Sequence, residues 1–122
     1  MYELAESWYD ARLICQKNGG DLVTFNTEDE YSFVWTKLKI YTLTNLLGNA
    51  YWHFGFYSDA FNIGHWVTGE PVTFTTWKDE NSVNQPNICG GIDIAPDLGY
   101  YWVWIAYDCW IKAFFVCETP ST

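Results

Sequence analysis

Four cysteines, Cys15, Cys89, Cys109 and Cys117, carry the most definite chemistry in the chain. They include no C-x-x-C pair, which argues against a zinc knuckle or a dithiol redox centre, and an even set is accounted for more simply by two disulfides. Four cysteines allow three pairings, and nothing in their spacing selects one. Disulfides persist in oxidising compartments, so the chain is expected to be secreted or part of an ectodomain. Catalytic groups are scarce by comparison. His53 and His65 lie among aromatic residues in segments that read as strands, where an imidazole is expected to be packed and hydrogen-bonded instead of acting as a general base. Ser7, Ser32, Ser58, Ser82 and Ser121 lack a nucleophile-elbow context, and Ser7 reads as a helix cap. Gly90-Gly91 is too short to cradle a phosphate, and Asp93 and Asp97 around Pro96 are ordinary turn residues. No catalysis and no cofactor are implied.

The elements that must position any site divide the chain in two. Tyr2 to Leu4 read as a short strand, and Ser7 stands three residues before Asp10 in a near capping box. A helix is therefore expected to about Asn18, stopped by Gly19-Gly20. Asp21 to Phe25 read as extended. Thr27-Glu28-Asp29-Glu30 is a full capping box with acids in the first turn, predicting a second helix through Tyr31, Val34, Trp35 and Leu38. From there on, ordered-looking segments are short, aromatic or β-branched and bounded by Gly, Pro, Asn or Asp: 51–57, 65–68, 90–94, 101–106 and 113–118. Residues 69–88 form a long loop ending at Cys89, which is positioned to pin it. Helices followed by strands imply an α+β fold with antiparallel sheet.

Composition narrows the partners. The 122 residues fit a single domain, 1–122, and 20% are aromatic, more rings than a core of this size needs, so some aromatic surface is expected. The formal net charge is −9 with six Lys and Arg, which disfavours nucleic acid and anionic membrane surfaces. No apolar run approaches the ~20 residues that cross a bilayer, so membrane insertion is not expected. No charged-then-apolar leader precedes the first helix, so Met1 reads as a product of processing or expression and not as the start of a signal peptide.

Taken in order, these segments resemble the C-type lectin-like domain family. Ser7-Trp8-Tyr9-Asp10-Ala11-Arg12-Leu13-Ile14-Cys15 resembles its first helix, with the W-x-x-A-x-x-x-C pattern, and Gly20 to Thr24 followed by Thr27 to Glu30 resembles the link into its second. Trp52 to Phe56 is similar to a degenerate W-I-G-L segment, and His65 to Trp77 to the approach to the long loop. Cys89, Cys109 and Phe115-Val116-Cys117-Glu118 are similar to its last framework cysteines and closing strand. The resemblance implies a short-form C-type lectin-like fold with two helices, antiparallel sheets and two disulfides, Cys15 to Cys117 and Cys89 to Cys109.

It also implies where to look for calcium. Sugar-binding members hold the ion with oxygens from a Glu-Pro-Asn or Gln-Pro-Asp triplet in the long loop and from a Trp-Asn-Asp triplet before the third framework cysteine. Here the second triplet is Trp104-Ile105-Ala106, with hydrocarbon at both ligand positions. The first is either Gln85-Pro86-Asn87, unusually close to Cys89, or the proline-less Lys78 to Asn81 stretch. Calcium takes about six to eight oxygen ligands, so no metal is expected. The expectation is a secreted, non-catalytic recognition domain that binds an extracellular protein or glycan through Trp77, Glu80, Asn81, Gln85, Asn87 and Tyr101. Two alternatives remain: a calcium-dependent lectin that rebuilds its shell from Asp59, Glu70, Asp79 or Glu80, and an ice-binding protein using Thr68, Thr73, Thr75 and Thr76. In the aromatic run, Tyr100, Trp102 and Trp104 share one strand face and Tyr101 and Val103 the other, one of which must be core. The oligomeric state is not legible.

Overall fold

The computed structural model describes residues 2–44, 50–79, 83–94 and 103–119. Chain order is β1 (Tyr2–Glu6), α1 (Trp8–Lys17), β2 (Asp21–Leu22), α2 (Glu28–Thr44), β3 (Ala50–Ser58), β4 (Gly64–Trp66), β5 (Ile88–Ile94), β6 (Val103–Asp108), β7 (Ala113–Phe115) and β8 (Cys117–Glu118). Both helices start where their caps place them. The Ser7 hydroxyl accepts from the Asp10 amide at 3.2 Å, and α1 ends at Asn18 ahead of Gly19, whose φ of 87° favours a residue without a β-carbon. Thr27 accepts from the Glu30 amide at 3.2 Å while the Glu30 carboxylate accepts from the Asn26 amide at 3.0 Å, so two orphan donors at the head of α2 are satisfied. The second helix continues past Leu38 to Thr44, beyond the sequence-based expectation. Tertiary packing extends it: Tyr41 meets the Trp52 ring edge-on at 5.8 Å and Thr42 is buried.

Strands order as β1-β7-β3-β5-β6 in the main sheet, with β4 also paired to β3, and β2-β8 form a separate ribbon. Among the described strands the pairings are antiparallel except β3 with β7, which run parallel, and outside them Trp77 makes an isolated parallel bridge to Trp104. The closing stretch 113–118, expected as one strand, divides at Val116. Its amide donates to His53 O in the main sheet at 3.3 Å and its carbonyl accepts from the Val23 amide at 3.0 Å, so the chain changes sheet at that residue. The disulfides are Cys15–Cys117, tying α1 to β8, and Cys89–Cys109, tying β5 to the end of β6. This is the pairing the resemblance implies.

The core lies between α2 and the main sheet and is mostly aromatic: Phe25, Tyr31, Trp52, Phe54, Trp66 and Trp104 are all essentially buried. Trp104 is its hub, stacked on Phe25 at 5.9 Å and 4.8 Å from Phe54, with Tyr31, Trp66 and Phe74 meeting it edge-on. Of the aromatic run, the one ring within the described residues is therefore core; Tyr100, Tyr101 and Trp102 lie outside them, as do Pro96 and Asp97. Gly90 and Gly91 in β5 are packing slots. A β-carbon at Gly90 would come within 2.9 Å of the Phe54 ring, and one at Gly91 would collide with the Tyr107 hydroxyl.

Candidate functional site: the long loop and its supports

Both described ends of the long loop are fastened, by different means. At its first end the chain runs beside β6: the Trp104 amide donates to Thr76 O at 2.9 Å and the Lys78 amide donates back to Trp104 O at 2.8 Å. Trp77, between these bonds, is half-buried and turns its ring onto Phe56 at 4.8 Å and Trp104 at 5.3 Å. Lys78 adds a 3.8 Å ion pair with Asp93 of β5, mostly exposed on the lysine side and worth little in stability.

At the second end the loop is clasped by the turn between β3 and β4. Ser58 is buried, and its hydroxyl donates to Gln85 O at 2.8 Å while accepting from the Ile88 amide at 3.0 Å. The Asp59 carbonyl accepts from the Asn87 amide at 3.3 Å, and Asn62 Nδ2 donates to Asn84 O at 3.4 Å. Asn62 and Asn87 both hold positive φ, 63° and 58°, a left-handed conformation that asparagine tolerates better than other side chains bearing a β-carbon. The turn is itself fixed by the Asp59 carboxylate, which accepts from the Phe61 and Ile63 amides at 2.8 and 3.1 Å and pairs with His65 Nε2 at 2.8 Å. The His65 contact first, then the backbone amides, hold the Asp59 carboxyl below the usual range. His65 stacks on Tyr57 at 5.2 Å. Replacing Ser58 by alanine leaves Gln85 O and the Ile88 amide each short of a partner. It is expected to cost roughly 1–3 kcal/mol, read by urea unfolding, with faster amide exchange at Ile88.

These supports sort the residues singled out in the sequence. Gln85 and Asn87 sit together on the clasped segment with exposed side chains. Trp77 rests on the core beside β6 and so serves as the loop's anchor at its other end. Glu80, Asn81 and Tyr101 lie outside the described residues. The clasp residues Ser58, Asn62 and His65 escaped the sequence reading as a group. Its signals were the turn-forming Ser58-Asp59 and Asn62, which do not reveal that 58–65 abuts 84–88.

The calcium positions do not fit calcium among the described residues. Ala106 pairs with Gly90 across the ladder and packs against the core, and Ile105, opposite Gly91, offers hydrocarbon. Asp59 is committed to His65 and two amides, and Glu70 accepts from Asn26 Nδ2 at 2.8 Å. No three His, Cys, Asp or Glu side chains converge among the described residues. The threonines Thr68, Thr73, Thr75 and Thr76 fall in a turn and in irregular chain, so no strand pleat aligns them into a regular array.

Two further polar features belong to the scaffold. His53 is fully buried; its Nε2 donates to Glu6 O at 2.8 Å, which makes Nδ1 the acceptor for the Tyr107 hydroxyl at 2.7 Å. Both ring nitrogens are used in the neutral form, and burial holds the imidazole below its ordinary value. The unfolded chain therefore takes up the proton first as pH falls below about 6.5. Stability from His53 is complete above that value and is lost as pH drops towards the lowered folded value. In a two-dimensional 15N NMR titration the His53 ring nitrogens should reach half-protonation at a lower pH than a free imidazole; a midpoint at or above about 6.5 would refute the arrangement. The second feature is a cleft of about 830 Å³ between α2 and the start of the loop, lined in part by Asn26, Glu30, Phe33, Lys37, Glu70 and Glu118. Glu118 there accepts from the Thr24 amide and hydroxyl at 3.2 and 3.0 Å, and burial raises its carboxyl.

This geometry of two helices, a β3-centred sheet, two disulfides and a fastened long loop is that of a C-type lectin domain. Residues 4–119 match the family model described as Lectin C-type domain, and the chain belongs to that family. Over 95 residues it is 34% identical to a hemolymph lipopolysaccharide-binding protein of Periplaneta americana, covering 74% of this chain and 36% of that protein. Over 124 residues it is 28% identical to the secretory phospholipase A2 receptor of Bos taurus, covering 93% of this chain but 8% of the receptor. The chain thus spans a minor part of either relative. Among solved structures, human lithostathine superposes with a TM-score of 0.79 at 28% identity, covering 98% of this chain and 80% of that one. No helix among the described residues is long and apolar enough to cross a membrane.

Proposed function

We propose that this domain is a secreted, non-catalytic recognition module that binds an extracellular protein or glycan through its long-loop face, without obligatory calcium. The observation that carries the reading is the clasp: Gln85 and Asn87 expose amide side chains from a backbone held to the β3–β4 turn by several hydrogen bonds. Such a segment loses little freedom on binding. Hydrocarbon at Ile105 and Ala106 supports calcium independence, since a carboxylate's charge and oxygens are not replaced by a methyl group. Glu80, Asn81 and Tyr101, which lie outside the described residues, are retained as proposed ligand residues. The names of the cockroach and bovine relatives, a lipopolysaccharide-binding protein and a receptor, are consistent with recognition as the role.

The test has two arms. Gln85→Ala and Asn87→Gly, the glycine keeping the left-handed backbone that alanine would strain at that position, with Glu80→Ala, Asn81→Ala and Tyr101→Ala, are expected to weaken ligand binding about tenfold each at hot-spot positions with little change in melting temperature. Trp77→Ala is expected to lose stability as well, because its ring packs on Phe56 and Trp104. Calorimetric titration with calcium, alone and with a monosaccharide panel, is expected to give no heat and no thermal shift. Calcium-dependent heat would instead establish the rebuilt-lectin alternative.

A further inference from the structure

The cleft between α2 and the start of the loop joins an apolar wall to a charge that the chain does not neutralise. Phe33, Val34 and Leu38 of α2 supply the apolar side; Leu38 is fully buried, whereas Phe33 stands 63% exposed. The charged lining residues are Asp29, Glu30, Glu70 and Glu118 against a single cation, Lys37. The Lys37 ammonium is turned over the Phe33 ring, 4.2 Å from its centroid. None of the other five Lys and Arg lines the cleft. Arg12 approaches the β2–β8 ribbon that carries Glu118, but there it pairs with Asp21, the register partner of Glu118.

Three of these carboxylates are each positioned by one oxygen and left open at the other. Glu30 Oε2 accepts from the Asn26 amide at 3.0 Å and Glu70 Oε2 from Asn26 Nδ2 at 2.8 Å, so one asparagine places both. Glu118 Oε1 accepts from the Thr24 amide and hydroxyl. The second oxygens of all three take no donor from the described residues. Burial raises the Glu118 carboxyl and the charges of Glu30 and Glu70 raise it further, so the three acids stand within electrostatic reach of one another. Yet no three of the described acids stand close enough to hold a metal ion.

Carboxylates that feel one another but are too widely set for one small ion suit a guanidinium. Its planar fork offers five donors to separated oxygens, and its spread charge is weakly hydrated, so it gives up water readily. The apolar wall suits the rest of such a ligand, because an arginine lays its hydrocarbon stem along apolar surface while the head stays among polar groups. At about 830 Å³ the cleft has room for a side chain and its neighbour. The net charge of −9 draws a basic partner in from a distance as well.

We propose that this cleft is a second binding subsite, which takes an arginine and an adjacent apolar residue from a basic segment of an extracellular protein, the guanidinium among Glu30, Glu70 and Glu118 and the apolar residue against Phe33 and Val34. The lining includes neither Gln85 nor Asn87, so the subsite stands or falls separately from the clasped segment.

The probe is an end-capped peptide, Leu-Arg-Leu-Arg-Leu, titrated into the 15N-labelled domain to about 1 mM. Saturable shifts are expected at the Thr24, Asn26 and Glu118 amides, with intermolecular NOEs from peptide leucine methyls to Phe33. A citrulline counterpart, equal in shape but uncharged, should bind at least about tenfold more weakly, with the lysine counterpart between the two. Glu70→Gln and Glu118→Gln should each weaken the arginine peptide at least about threefold. The melting temperature should hold, since glutamine keeps an acceptor for Asn26 or Thr24. Asp10→Asn, which removes one negative charge from α1, should leave the affinity in place. Absence of saturable shifts, equal binding of the citrulline peptide, or indifference to both glutamine variants would overturn the proposal. So would calcium chloride alone reproducing the shifts and displacing the peptide, which would make the cleft a metal site.

Discussion

Removing the Cys15–Cys117 disulfide by a double change to alanine is expected to lower stability by roughly 4–5 kcal/mol. The bond joins residues 102 apart in sequence, from the buried side of α1 to β8 in the second sheet. Without it the denatured chain regains the freedom of a loop comprising most of the molecule. Removing Cys89–Cys109, which joins residues 20 apart, is expected to cost about 3 kcal/mol by the same reasoning. Against a total of about 5–15 kcal/mol for a natural domain, the first change brings the fold near its limit. Urea or thermal unfolding of the two double variants gives the ordering directly. A larger loss from the shorter-range pair would show that packing around Cys89 and Cys109, both buried, outweighs chain entropy.

Truncating Trp104 to alanine is expected to cost about 3–5 kcal/mol. Its ring is fully buried and is the shared neighbour of Phe25, Tyr31, Phe54, Trp66 and Trp77. The loss reaches the loop as well, because the Trp77 ring would face a cavity on one side and keep its contact with Phe56 on the other, so that end of the loop is held less firmly. Faster hydrogen exchange at the Lys78 amide, compared with amides of β5, would register this. Trp104→Phe separates polarity from packing. Trp104 Nε1 is buried and without a partner among the described residues, so phenylalanine removes an unsatisfied donor while giving up part of the ring. A cost well under half that of alanine is expected; equal costs would mean that the indole's full outline is what the core requires.

How much of this was legible beforehand depends on whether the signal is local. Ser7, Gly19 and the Thr27-to-Glu30 box mark helix ends by short-range hydrogen bonding, and the structure places α1 and α2 where they point. Helix α2 runs on to Thr44 because Trp52, a residue on another element, supports Tyr41. Likewise, the change of sheet at Val116 depends on His53 and Val23 lying on opposite sides of it, which no window around residue 116 contains. In the candidate site, the identities of Ile105 and Ala106 were plain from the sequence, but Ala106's seat against the core follows only from its register with Gly90. The clasp was least legible, since Ser58 and Gln85 are 27 residues apart and each resembles an ordinary turn residue alone.

Because the loop is fastened at Thr76 to Lys78 and again from Val83, which packs against the core, to Ile88, the sequence between those ends is bracketed by two fixed points. Loop closure entropy rises slowly, by about 0.6 kcal/mol for each doubling of length. Sequence and length can therefore drift there at small thermodynamic cost, leaving selection free to retarget the domain while the aromatic framework beneath stays as it is.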